Sequence, residues 1–205
     1  MHEDDDFEPV ESMDLSGGDI SLDFVNTASR RDSGPLQEKL HAYDDLVTWA
    51  ERVGLVTAEQ GRRLRTAAGR SPGEAAAVLR RARDLREAVF RIFARDGTHA
   101  NDLDLLADEA ARGAAERRLS ATADGYAYAW PESDRLERLL WPVALAAAEL
   151  LTSAEDRSRV KECAADNCNW LFLDMSRNRS RRWCDMKVCG NRAKARRFSA
   201  RHRDA

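Results

Sequence analysis

Long apolar runs are missing from this 205-residue chain. No segment approaches the roughly eighteen apolar residues that a membrane-spanning helix requires, so no membrane role is expected. The opening Met1-His2-Glu3-Asp4-Asp5-Asp6 is acidic where a secretory leader would be basic and then apolar, which points to the cytoplasm. Histidine is scarce, at positions 2, 41, 99 and 202 only, and none neighbours a cysteine. The region before Arg157 shows no GxGxxG, Walker A, HExxH or serine-elbow pattern, so the common signs of dinucleotide, phosphate, zinc-protease and hydrolase chemistry are lacking. No redox C-x-x-C occurs either. An enzyme is not expected.

Cysteine is equally sparse, but its placement is informative. The four cysteines, Cys163, Cys168, Cys184 and Cys189, follow the spacing C-x4-C-x15-C-x4-C. Two close pairs separated by a short insert can supply four thiolates to one tetrahedral ion. Such a soft set selects Zn²⁺ or an iron–sulfur centre, with zinc expected, whereas two disulfides would need an oxidising compartment. One zinc per chain would be structural, because four protein ligands leave no position open for water.

Charge divides the chain unevenly. Residues 157–205 hold fourteen Lys/Arg against five Asp/Glu, a balance of +9, and the remainder holds nineteen against thirty-one, a balance of −12. That asymmetry suggests that one end meets a polyanion. Residues 1–14 carry seven acids and little to bury, and read as a disordered acidic tail. Ile20, Leu22 and Phe24 alternate with polar residues and predict a short strand. Beside them Asp23 and Asn26 either cap or staple a turn, or contact a small-molecule effector; both are candidate ligand-binding residues.

Helices are predicted next. Leu46, Trp49, Ala50 and Val53 share one face and stop at Gly54; Thr57 to Gln60 is a capping box, and Ser71-Pro72-Gly73-Glu74 repeats the pattern. Ala75, Val78, Leu79, Ala82, Leu85, Val89, Ile92 and Phe93 form a stripe on a long helix whose arginine-rich back reads as solvated. Leu103 to Ala110 supports another helix. Ser120 to Trp130 predicts a hairpin turning at Asp124-Gly125. Pro142 must kink or begin the helix that runs to Leu151.

Within the cysteine region, Cys163 to Cys168 reads as a knuckle, Trp170 to Asp174 as a strand and Arg179 to Trp183 as its return, with Cys189 opening a final helix. Trp170, Phe172 and Trp183 would form a miniature core. On the final helix Asn191, Ala195, Phe198 and His202 share a face suited to packing. Arg192, Lys194, Arg196, Arg197 and Arg201 lie elsewhere on it, and Arg177, Arg179, Arg181 and Arg182 add a second basic element. A basic helix on a metal knob can contact phosphates or enter a major groove, so these nine are the candidate nucleic-acid-binding residues.

Phe172-Leu173-Asp174, Ser176-Arg177-Asn178, Arg181-Arg182-Trp183-Cys184 and Cys189-Gly190-Asn191-Arg192 resemble the CGNR zinc-finger family. Leu22-Asp23-Phe24-Val25-Asn26-Thr27 resembles the opening of the ABATE domain that accompanies this finger in bacterial proteins. The resemblance implies a stress-induced transcription regulator whose finger binds DNA and whose N-terminal domain senses a signal. The expected architecture is α+β: a tail over 1–14, a mainly helical domain with a short strand and a β-hairpin over 15–156, and a treble-clef-like four-cysteine finger over 157–205. Double-stranded DNA is the expected partner, with a small-molecule effector and a homodimer as further candidates. The rivals are an RNA-binding finger, and an enzyme or small-molecule binder centred on Asp23 and Asn26.

Overall fold

The computed structural model describes residues 9–32, 34–94, 100–123 and 125–196. Its first helix stands where alternation predicts a strand. Ile20–Val25 (α1) is helical, capped by Asp19, whose carboxylate accepts from the Ser21 amide at 2.8 Å. Ser21 to Val25 are all buried, so this helix has no solvent face to write a 3.6-residue period into the sequence. Over so few residues, alternation and full burial look alike.

Two residues after α1 the chain forms a small antiparallel pair, Ala28–Ser29 (β1) with Gln37–Glu38 (β2). Tyr43–Arg52 (α2) buries Tyr43, Leu46, Val47, Trp49 and Ala50, and ends at Gly54, whose φ of +75° only glycine adopts cheaply. Thr57 and Gln60 make the expected capping box of Ala58–Arg70 (α3). Pro72–Ala94 (α4) follows, with proline in its first position. Ala100–Glu116 (α5) lies against it and against Leu140–Thr152 (α6). Pro142 sits in the first turn of α6, after a 3₁₀ turn over Leu136–Leu139, where its missing N–H breaks no helical hydrogen bond, so it marks the helix start.

The back of α4 corrects the expectation of a solvated arginine face. Arg86 is only 1% exposed, and its guanidinium meets Glu38 at 2.5 and 2.7 Å and Glu87 at 2.9 Å. Arg31 reaches Glu87 at 2.9 Å and lies 4.1 Å over the Phe90 ring. Paired acids, not water, surround this part of the helix.

Arg118–Thr122 (β3) and Gly125–Ala129 (β4) form the predicted hairpin, but Thr122 pairs with Gly125. Gly125 is therefore the first residue of the returning strand and not the turn residue that Asp124-Gly125 implies; Asp124 lies outside the described residues. After Ala154–Arg157 (α7), Val160–Glu162 (β5) pairs antiparallel with Leu171–Leu173 (β6). One apolar core runs through nearly all of this: Leu22, Phe24, Trp49, Leu85, Val89, Leu140, Val143 and Leu171 belong to it, with Val160 and Leu173 packed on its edge. The cysteine-bearing segment is thus rooted in the helical core.

Residues 9–14, expected to belong to an acidic tail, are part of the fold. Residues 1–8 lie outside the described part, but Val10 and Met13 are buried in the core. Arg52 holds the carbonyls of both, at 2.6 and 2.9 Å. Among residues 9–14, Glu11 and Asp14 stay exposed while the apolar pair one turn apart turns inward.

Candidate metal centre and nucleic-acid interface

Cys163 follows β5 directly and Cys168 precedes β6, so the knuckle is the tip of the β5–β6 hairpin. The return expected over Arg179 to Trp183 is a loop, because β6 takes its ladder from the upstream strand instead. Asn167 and Asn169 both adopt left-handed φ, at 61° and 58°, a conformation that asparagine tolerates and that bends the chain sharply around Cys168. The Cys163 amide closes onto the Trp170 carbonyl at 2.8 Å.

The second pair arrives by a different route. Asp185 caps the helical turn Met186–Gly190 by accepting from the Val188 amide at 2.8 Å, which brings Cys189 back beside Cys184. All four sulfurs lie within 4.8 Å of one another, and Cys168–Cys184, Cys184–Cys189 and Cys189–Cys168 are 3.7, 3.6 and 3.7 Å apart. Bonds of about 2.3 Å to a tetrahedral zinc require sulfur separations of about 3.8 Å. The geometry fits one zinc ion. The Cys184 amide also points at the Cys163 sulfur, 3.4 Å away, as a donor that steadies thiolate charge. Cys163, Cys184 and Cys189 are buried with Trp170 and Phe172, and Trp183 packs partly against them, the miniature core expected from sequence.

Polar staples bind this centre to the helical part. Asn26 is fully buried, its amide nitrogen donating to the Leu171 carbonyl at 2.9 Å and its oxygen accepting from the Leu171 amide at 2.8 Å. It therefore pairs with β6 like one more strand residue. Asp23 accepts from the Gly17 amide at 2.8 Å, and burial pushes its carboxyl up to about 6. A Cβ at Gly17 would sit 2.8 Å from the Asp23 backbone nitrogen, so that approach needs glycine. Asp23 and Asn26, taken from sequence as candidate ligand residues, are both engaged within the fold. Neither lines the cleft of about 700 Å³ that opens beside the metal site. Its walls include Ser29, Gln37 and Lys39 on one side, and Cys168, Trp170 and Arg192 on the other.

Lys161, which carries no signal in sequence, and Asp174, noted there only as a strand end and in the Phe172-Leu173-Asp174 resemblance, together shape the basic loop. Asp174 is buried and accepts from Lys161 Nζ at 2.7 Å, the Ser176 hydroxyl at 2.6 Å and the Arg181 amide at 3.0 Å. The Lys161 ammonium, with these other donors, holds its carboxyl well below the usual range. The same lysine donates to the Arg179 carbonyl at 2.5 Å, which fixes the loop over residues 174–181.

Of the candidate nucleic-acid residues, Arg177, Arg179, Arg182, Arg192, Lys194 and Arg196 are exposed. Arg182 stacks over Trp183 at 5.4 Å, Arg179 lies 3.8 Å from Glu155, and Arg196 lies 3.4 Å from Asp166. Arg181 departs from the expectation. It lies 4.4 Å over the Phe172 ring and gives its donors to the carbonyls of Ser16, Trp183 and Cys184, so it clasps the metal loop to the N-terminal segment. Arg197 and Arg201 lie outside the described residues. So do Phe198 and His202, while Asn191 and Ala195 of the supposed packing face are exposed and Ala193 is half-buried. The described part of the helix thus turns a different side inward.

No helix among the described residues is long and apolar enough to cross a membrane. No curated protein matches the chain well enough to count as a relative. Residues 159–202 match the family model described as "CGNR zinc finger", in keeping with the sulfur geometry. Residues 18–154 match the ABATE model, described as "Putative stress-induced transcription regulator", and with well over half of its length matched the chain belongs to the ABATE family.

Proposed function

We propose that this is a cytoplasmic bacterial transcription regulator that binds duplex DNA through the zinc-built segment and responds to a small molecule through its helical part. The observation that carries the reading is the set of exposed cations around a buried metal centre: Arg177, Arg179, Arg182, Arg192, Lys194 and Arg196 stand outward while the cysteines and aromatics turn inward. A structural zinc folds the platform, and the cations supply phosphate contacts. The −12 balance of residues 1–156 repels DNA and leaves only the finger to face it. Because Asn26 and Asp23 are consumed by the fold, effector binding falls to the cleft between Lys39 and Trp170.

Fluorescence anisotropy of the full chain with duplex DNA and with structured RNA, over a salt series, tests this. DNA affinity should fall steeply with salt, and Arg192→Ala with Lys194→Ala should weaken binding and flatten the log–log slope by about 0.9 per lost phosphate contact. Tighter binding to RNA, or an unchanged slope in the double variant, would defeat the proposal.

A further inference from the structure

Three of the four metal-ligating residues, Cys168, Cys184 and Cys189, line the cleft of about 700 Å³ beside the metal site. Four protein ligands close the coordination sphere of a structural zinc, so a molecule in the cleft meets sulfur and not metal. The four thiolates are not equivalent. Cys163 is buried, lies off the cleft, and its sulfur accepts from the Cys184 amide at 3.4 Å. Such a hydrogen bond steadies the thiolate charge and lowers its nucleophilicity. Cys168 is half-buried where the other three are buried, and no backbone amide among the described residues reaches its sulfur. The cleft walls set Lys39 and Arg192 against Asp14, Asp166 and Asp185, and four thiolates around one Zn²⁺ leave the centre negative. Neither an organic anion nor an organic cation gains from so mixed a wall, whereas a small neutral molecule enters without electrostatic cost.

We infer that the cleft admits small neutral hydroperoxides to Cys168, and that their reaction there expels the zinc. This rests on the cleft as the place where a small molecule is sensed, and names the class of that molecule. The Cys168 thiolate attacks one peroxide oxygen and the O–O bond breaks; the other oxygen leaves as alkoxide or hydroxide and takes a proton from water. Sulfur is oxidised by two electrons to a sulfenic acid, and the peroxide is reduced. The Cys184 or Cys189 thiolate, each 3.7 Å away, then attacks that sulfur. The S–O bond breaks, hydroxide leaves and a disulfide remains. Two thiolates are left where the closed site needs four, so the metal departs as Zn²⁺. Thiol reductant with zinc reverses the change, as befits a transient disulfide in a reducing compartment. The fold localises the consequence. Cys163 and Cys168 stand at the tip of a hairpin rooted in the helical core through Leu171, but Cys184 and Cys189 belong to a loop and a single helical turn. One S–S bond in place of four metal bonds keeps that second segment tethered without orienting it, and Arg192, Lys194 and Arg196 lose their fixed placement.

The test is tert-butyl hydroperoxide on the reduced, zinc-loaded full chain, with zinc release followed by a chromogenic chelator and modified cysteines mapped by mass spectrometry. Early trapping with a sulfenic-acid reagent should label Cys168, and later disulfides should join it to Cys184 or Cys189. Gln37→Trp places a bulky ring on the cleft wall and leaves all four ligands in place, so it tests access without dismantling the site. It should slow zinc release about tenfold, and dithiothreitol with added zinc should restore the parent. First oxidation at Cys163, or release indifferent to Gln37→Trp, overturns the inference. Zinc retained under peroxide in a protein that still binds DNA overturns the inference alone. Zinc expelled by peroxide from a protein that, when reduced, binds no DNA supports the inference and counts against the proposed function alone.

Discussion

Replacing Asn26 by alanine removes the two hydrogen bonds that tie α1 to the zinc-bearing hairpin. Both ends of the interaction are buried, so the Leu171 amide and carbonyl are left facing apolar side chains without water to satisfy them. An unsatisfied buried backbone group costs about 1–3 kcal/mol, and two of them give about 4 kcal/mol for the variant. For a chain of this size that corresponds to a drop of roughly 8–16 °C in Tm. Differential scanning calorimetry of the zinc-loaded protein would measure it. Asn26→Asp supplies the internal control. Its carboxylate can still accept from the Leu171 amide but repels the Leu171 carbonyl, so the folded state favours the protonated acid. The folded pKa then lies above the unfolded value of about 3.9, and the variant should lose stability as pH rises through the folded pKa. An alanine variant within about 0.5 kcal/mol of the parent would show that the staple carries no energy and refute the reasoning.

Two further outcomes follow from the same geometry. Because burial raises the Asp23 carboxyl to about 6, its contribution is complete below pH 4 and is lost as pH rises through 6. Asp23→Asn keeps an acceptor for Gly17, so it should flatten stability between these values and gain about 2–3 kcal/mol at pH 7, read from urea midpoints at several pH values. Metal analysis should find one zinc per chain, and Cys189→Ser should abolish it. Since Leu171 sits in the helical core, that variant should keep its helical circular dichroism and gain protease cuts between residues 174 and 190. Concerted loss of the helices would contradict that separation.

The metal centre was legible because its chemistry is local: four thiols at two short spacings leave few arrangements, and the nearby aromatics had nothing else to pack on. The helices of α2 and α3 were legible through their caps, Gly54 and the Thr57 box. What escaped reading depends on long-range partners. Arg86 looks like any surface arginine until Glu38, distant in sequence, is placed against it. Asn26 could staple or bind a ligand, and only the position of Leu171 decides which. Arg181 sits in a run of exposed arginines and differs from them solely because Phe172 and three carbonyls surround it. The strand expected at Ile20 failed for a simpler reason, since a helix buried on every side leaves no period to read.

The pairing of α1 with β6 also sets the order in which the chain can fold. Leu22 and Phe24 belong to the same core as Leu171, about 150 residues later, so the first helix is completed by the last strand among the described residues. At about 5–20 residues per second, a ribosome exposes the N-terminal apolar residues for many seconds before their partners emerge. Contacts of such high sequence separation close late and slow the search. Truncated chains ending before residue 160 would carry an open groove where β5 and β6 belong. The metal can then be gathered only once Cys189 has emerged, when the hairpin it caps has already found its place.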